Sequence, residues 1–184
     1  ALALDERLAT ILRKKREPML AQLRLAWWRD RLNEPPAQWP AGDAVLDSLR
    51  QWREPSTLVP LVDGWEVLVS DDLDHAALDR FAAGRGAVYG ALAGELDAPV
   101  EPARQAGRVW ALADLVANLS DQQERELALA LARQSGPPPA LPRSLRPLAV
   151  LAGLGWRAVR AGGGALLAGR GAALAALRLG VLGR

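Results

Sequence analysis

The sequence contains no cysteine and a single histidine, His75. The first absence excludes disulfides, thiolate zinc sites, iron–sulfur clusters and thiol nucleophiles. The second removes His-rich metal sites and leaves any histidine-based triad dependent on one residue. Alternating runs of β-branched and aromatic residues, the mark of strands, are nearly missing as well. Acidic residues stop at Glu126, and residues 127–184 carry eight Arg with no Asp or Glu.

What remains is enough for an ordinary domain. The chain has 184 residues, 50% of them hydrophobic, and a domain of this size buries enough apolar surface to fold without a staple. Its formal charge of +2 hides a segregation: residues 1–126 hold 15 Lys+Arg against 21 acids, a balance of −6, and the tail is +8. Such asymmetry points to an anionic partner for the tail, whether a membrane surface, a nucleic acid or the protein's own acidic half. The tail arginines alternate with Leu, Ala and Gly rather than with stacking aromatics or clustered lysines, which argues against nucleic acid.

Residues 161–183 are long enough to span a bilayer, yet they include Arg170 and Arg178 and are diluted by glycine. An Arg at the bilayer centre costs about 2.5–3.5 kcal/mol on insertion scales, so a transmembrane helix is not expected. A peripheral contact is, through Trp156, Arg157, Arg160, Arg170 and Arg178, with an anionic membrane surface or a protein as partner. Residues 1–20 contain Arg13-Lys14-Lys15-Arg16 and no uninterrupted apolar run, so no secretory signal is expected. The expected location is the cytoplasm, with peripheral contact to a membrane.

Ala, Leu, Arg and Glu dominate, as helices favour, and Pro and Gly mark the breaks. Helices are predicted over residues 2–15, 18–33, 43–54 with Asp43 as cap, 57–70 with Ser56 as cap, 74–96 opened by Asp74, 102–134, 144–161 and 165–182. The fold class is all-α, a helical bundle with a body over 1–134, a Pro-rich linker over 135–143 and a basic Leu/Arg-rich tail over 144–184. Seven of the nine aromatics are Trp, and Trp27, Trp28, Trp52, Trp65, Trp110 and Trp156 fall in predicted helices. Met19, Leu20, Leu23 and Trp27 form an apolar stripe. Core packing is the expected role of stripe and rings; lining a pocket for a long apolar ligand is the alternative. Asp71-Asp72-Leu73-Asp74-His75 has the residue types of a metal cluster, but Asp74 reads as a helix cap with solvated neighbours.

The run Arg16-Glu17-Pro18-Met19-Leu20-Ala21-Gln22-Leu23-Arg24-Leu25-Ala26-Trp27-Trp28-Arg29-Asp30-Arg31-Leu32 resembles the squalene/phytoene synthase family, whose members carry E-P-x-L-x-x-x-R-L-x-W-W-R-D-x-L. Asp63-Gly64-Trp65-Glu66, the segment Phe81 to Gly90, Gly107 to Leu112 and Leu145 to Arg160 are similar in order to later parts of that family. The resemblance implies an isoprenoid-synthase bundle in which two aspartate-rich motifs on facing helices hold Mg²⁺ against prenyl diphosphates. Such chemistry needs carboxylate pairs one helical turn apart. Where the first pair belongs, the only acids are Asp5 and Glu6, which are adjacent and so lie on different faces; the second motif and its tyrosine–leucine–proline loop are missing.

Asp114, Asn118 and Asp121 follow at i, i+4, i+7 on one apolar helix. They read as an internal ion pair with an Arg such as Arg85 or Arg108, or as a residual ligand site. Arg24, Arg29 and Asp30 read either as cavity residues or as surface pairs. The candidate ligand or cavity residues are therefore Arg24, Trp27, Trp28, Asp30, Asp114, Asn118 and Asp121, with no catalytic residue, metal ligand or cofactor assigned. The expected function is that of a non-catalytic family member, similar to the branch that assists NADH dehydrogenase assembly: an assembly, scaffold or lipid-contacting factor at a membrane surface, with a prenyl or lipid ligand. The alternative is a Mg²⁺-dependent prenyltransferase that condenses two prenyl diphosphates, with Asp5, Glu6, Asp114 and Asp121 as ligands.

Overall fold

The structure, a computed structural model, describes residues 1–13, 18–69, 73–167 and 170–182. Among the described residues it is all-α, with nine α-helices and no strand. They are α1 (Leu2–Arg13), α2 (Pro18–Asn33), α3 (Ala44–Leu49), α4 (Val59–Glu66), α5 (His75–Glu95), α6 (Val100–Asn118), α7 (Gln122–Gln134), α8 (Arg146–Arg160) and α9 (Arg170–Leu182).

The organising element is α5. It buries residues around its whole circumference, from Ala77 and Leu78 through Phe81 and Arg85 to Val88 and Tyr89, which is how a helix surrounded by others behaves. Asp74 starts it, accepting from the Ala77 amide at 2.7 Å; that cap was expected, and Asp71 and Asp72 lie outside the described residues. Helix α6 returns antiparallel to α5, helix α4 crosses its other side, α8 lies on α6, and α9 lies on α8. Helix α1 contributes Leu4, Leu8 and Ile11 to the core.

Close helix contacts require glycine at two crossings. A Cβ on Gly84 would stand 2.8 Å from Gly64 Cα and closer still to the Pro60 carbonyl, so α4 and α5 meet backbone to backbone. A Cβ on Gly107 would stand 2.9 Å from Gly86 Cα, which brings α6 against α5 in the same way. These approaches carry the Arg85 side chain of α5 to within reach of α1, α4 and α6.

Several boundaries differ from the sequence reading, each for a local reason. The single segment predicted over 102–134 is two helices: the chain turns extended at Leu119 and Asp121 caps α7, accepting from the amides of Gln123 and Glu124 at 2.9 Å. The helix capped by Asp43 stops at Leu49, after which the Arg50 guanidinium turns back to the carbonyls of Pro36, Trp39 and Pro40. Ser56 caps nothing, since Pro55–Leu58 forms a 3₁₀ turn that leads into α4. Trp52 lies outside any helix.

Gly84→Ala should lower stability by about 1–3 kcal/mol, the cost of forcing extra volume into a filled site. Gly94→Ala, where an added Cβ meets nothing within 4 Å, should raise it by up to about 1 kcal/mol. Urea midpoints of the two variants check the contrast; equal effects would show that the α4–α5 contact is looser than described.

Candidate functional site

Arg85 is 3% exposed and Asp5 6%, and they are the two charged residues in the described core. Burying a charge is tolerated when it is paired and its hydrogen bonds are met. Arg85 Nη2 donates to Asp5 Oδ2 at 2.6 Å, Nε donates to Asp5 Oδ1 at 3.1 Å, and Nη1 donates to Asp114 Oδ2 at 2.6 Å. The Trp65 indole adds a 2.7 Å bond to Asp5 Oδ1. One guanidinium thus holds two carboxylates, a cluster with formal charge −1 that ties α1, α5 and α6 together with α4 as a fourth wall.

Aromatic rings close the cluster. The Arg85 guanidinium carbon lies 4.0 Å from the Trp110 ring centre, 5.3 Å from Trp65 and 5.5 Å from Phe81, within cation–π range of all three. Burial alone would push the guanidinium pKa down; the charges of Asp5 and Asp114 outweigh it and hold the pKa above its ordinary value. The Arg85–Asp114 ion pair is the pairing that sequence favoured for Asp114. Asn118 turns back onto its own helix, donating to the Asp114 carbonyl at 2.7 Å, and Asp121 is spent as the α7 cap, so the three do not form one polar face.

Asp5 is the acid whose role depends most on distant parts of the chain. Asp5 and Glu6 do point apart: Glu6 pairs with Arg13 at 2.9 Å on the surface while Asp5 turns inward. The signal available was that Asp5 shares a helix face with Leu8 and Leu12, at i+3 and i+7, so an acid there needs a buried cation. Arg108, the other candidate, pairs with Asp79 at 2.6 Å.

Mg²⁺, which the prenyltransferase alternative requires, does not fit this donor set. Mg²⁺ demands several oxygens in octahedral array with room for water and phosphate. Asp5 and Asp114 are engaged by a cation that stands between them, Glu6 faces outward and Asp121 binds two backbone amides. No group of three or more His, Asp or Glu among the described residues is arranged to hold a metal ion.

The tryptophan run builds a second place. Trp28 is buried, but Met19, Leu20, Leu23 and Trp27 are exposed, Met19 by 74% and Leu23 by 60%. The stripe expected in the core therefore faces out; α2 buries Leu25, Trp28 and Leu32 instead. Periodicity identifies an apolar face without saying which face meets the core. Between α1 and α2 lies an open cleft of about 300 Å³, lined by Arg7, Thr10, Ile11, Arg24, Trp27 and Trp28. Arg24, Trp27 and Trp28 thus meet in one place, whereas Asp114 belongs to the Arg85 cluster. Arg29 is a bridge: it pairs with Asp63 at 2.7 Å and with Glu66, tying α2 to α4. Asp30 is exposed on the outer side of α2.

In the tail, Trp156 and Arg157 are half-buried and Arg160 and Arg178 exposed; the Arg170 side chain lies outside the described residues. Arg133, Arg143, Arg160 and Arg178 form no ion pair among the described residues. Direct pairing with the described acids of the body therefore does not neutralise them. Leu167, Leu174 and Leu177 are each more than 60% exposed, and no helix among the described residues is long and apolar enough to cross a membrane. No family model, curated protein or solved structure matches the chain.

Two measurements test the cluster. Arg85→Met should cost about 3–5 kcal/mol, because it leaves Asp5 buried and unpaired, and adding Asp5→Asn with Asp114→Asn should recover most of the loss in urea unfolding. Tyr89, the one tyrosine in the chain, stacks on Trp110 with ring centres 5.4 Å apart, and its hydroxyl is buried without a partner among the described residues. Burial pushes its pKa well above the ordinary 10.0, with Arg85 opposing and Asp5 and Asp114 adding. A group that holds its proton more tightly when folded contributes stability that is complete below its unfolded pKa and is lost as pH rises beyond it. Stability should therefore fall above pH 10.0, with tyrosinate absorbance appearing only on unfolding, and Tyr89→Phe should remove that component of the fall.

Proposed function

We propose that the chain is a non-catalytic protein of the squalene/phytoene synthase kind, with a reduced isoprenoid-synthase-like bundle, that acts as an assembly, scaffold or lipid-contacting factor at a membrane surface. The observation that carries the non-catalytic reading is the Arg85 guanidinium seated between Asp5 and Asp114. Asp5 and Asp114 are two of the four acids, with Glu6 and Asp121, that the prenyltransferase alternative would need as metal ligands. A fixed side-chain cation there satisfies both carboxylates and leaves neither free to take Mg²⁺ and a diphosphate.

The surface supports the second half of the reading. The tail presents Leu174 and Leu177 beside Arg178, with Arg160 exposed on α8 and no acid after Glu126. Exposed leucines with unneutralised arginines suit an anionic bilayer, where each basic residue near the surface contributes about 1 kcal/mol. A protein partner with an acidic, apolar face would be met by the same chemistry.

Incubation with farnesyl or geranylgeranyl diphosphate and Mg²⁺ should release no diphosphate above a protein-free control. Release that depends on Asp5 and Asp114 would overturn the non-catalytic reading. The protein should sediment with vesicles containing phosphatidylglycerol more than with phosphatidylcholine alone, and Arg160→Glu with Arg178→Glu should weaken that binding. Absence of binding to either vesicle would remove the membrane role.

A further inference from the structure

The tail is not alone in leaving large apolar side chains uncovered. On α2, residues 20, 24, 27 and 31 lie within one narrow stripe, with 19 and 23 on one side of it and 28 on the other. Met19 is 74% exposed, Leu23 60%, Leu20 43% and Trp27 39%. Four large apolar side chains exposed on three successive turns are more than the scattered apolar residues of an ordinary surface.

The charged residues that line the cleft beside this face are both arginines, Arg7 and Arg24. Arg24 is exposed and forms no ion pair or hydrogen bond among the described residues. Arg7, across the cleft on α1, has one loose pairing, 3.8 Å to Asp43. Arg31 lies 5.8 Å from the Trp27 ring centre while it pairs with Glu34. Asp30 is the acid on the far edge of the stripe. The pairing of Trp27 and Trp28, edge to face at 5.0 Å, seats Trp27 on a buried neighbour, so its ring is held outward at the mouth of the cleft.

We propose that this face of α2, with the cleft that Arg7 and Arg24 flank, is a docking surface for an anionic phospholipid bilayer: Met19, Leu20, Leu23 and Trp27 enter the interface while Arg24 and Arg7 meet lipid phosphates. The inference rests on the membrane-surface reading above and assigns it a contact on the body, separate from the tail. Charge complementarity selects the occupant. An apolar face alone would suit another helix, but an exposed Arg24 with no ion pair among the described residues, and an Arg7 held only by a 3.8 Å pairing, beside an outward indole suit a surface that is apolar within and anionic at its edge.

The test uses the full chain and vesicles of phosphatidylcholine with or without phosphatidylglycerol. Met19→Asp with Leu23→Asp should lower partitioning to the anionic vesicles by about tenfold or more, since both side chains lose their burial in the interface. Arg24→Gln should lower it by about fivefold on anionic vesicles and leave binding to neutral ones unchanged. Both positions are exposed, so circular dichroism and urea midpoints should match the parent. Glycerol phosphate in excess should not compete, because the surface rather than an isolated headgroup is bound.

Unchanged partitioning by the folded double variant overturns the inference. If Leu174→Asp with Leu177→Asp then abolishes binding, the membrane reading stands on the tail alone; if the parent binds neither vesicle, both readings fall. Loss of self-association in the double variant with vesicle binding intact would make the face an interface between copies, and would equally overturn the proposal.

Discussion

A guanidinium buried among aromatic rings cannot stand without anions, and the arrangement of helices around α5 is organised by how Arg85 obtains them. Asp5 comes from the first helix and Asp114 from the sixth, so the two bonds of 2.6 Å join parts of the chain that share no local sequence. The cost of removing three charges from water is large, and it is offset only where geometry and hydrogen bonding are good. Here a two-point contact to Asp5, an indole bond from Trp65 and the Trp110 face meet those conditions together. Gly64 with Gly84, and Gly86 with Gly107, let the backbones approach closely enough for the contacts to form.

The same interaction limits the chemistry of the interior. Carboxylates that neutralise a fixed cation are not available to a mobile one, and the guanidinium at the centre of the cluster is covered by Trp65, Phe81 and Trp110. Chemical interest therefore moves outward, to the cleft between α1 and α2 and to Leu174, Leu177 and Arg178 of α9. Each combines exposed apolar side chains with an arginine, Arg24 in the cleft and Arg178 on α9, that forms no ion pair among the described residues. The separation of a −6 body from a +8 tail persists in the fold, because the acids of the body are largely engaged with arginines of the body: Asp63 and Glu66 with Arg29, Asp79 with Arg108, Asp97 with Arg53.

How far the sequence could be read depended on whether the deciding interaction was local. Asp43 and Asp74 cap their helices as expected, since a carboxylate two or three residues before an amide needs nothing else. Asp121 obeys the same rule, although its spacing of two turns from Asp114 suggests a shared helical face. Ser56 fails as a cap where Pro55 starts a tighter turn. The stripe of Met19, Leu20, Leu23 and Trp27 is a real apolar face, yet it faces outward. Trp39, which no motif marked, is buried with its indole donating to the Glu34 carbonyl at 3.2 Å and to that of Arg31 at the end of α2.

Taken alone, the amino-acid order determined the helical class, most helix starts, the asymmetry of charge and the absence of thiol and His-rich chemistry. All of these follow from composition and from contacts within a few residues. Only the tertiary structure decided that Asp5 and Asp114 share one arginine, that Trp28 is buried while its neighbour Trp27 is not, and that Arg7 stands across a cleft from Arg24. Those outcomes depend on which helix faces which, and that is set by the mutual burial of several faces at once. No single segment contains that information, because the energy of burying a side chain belongs to everything that surrounds it.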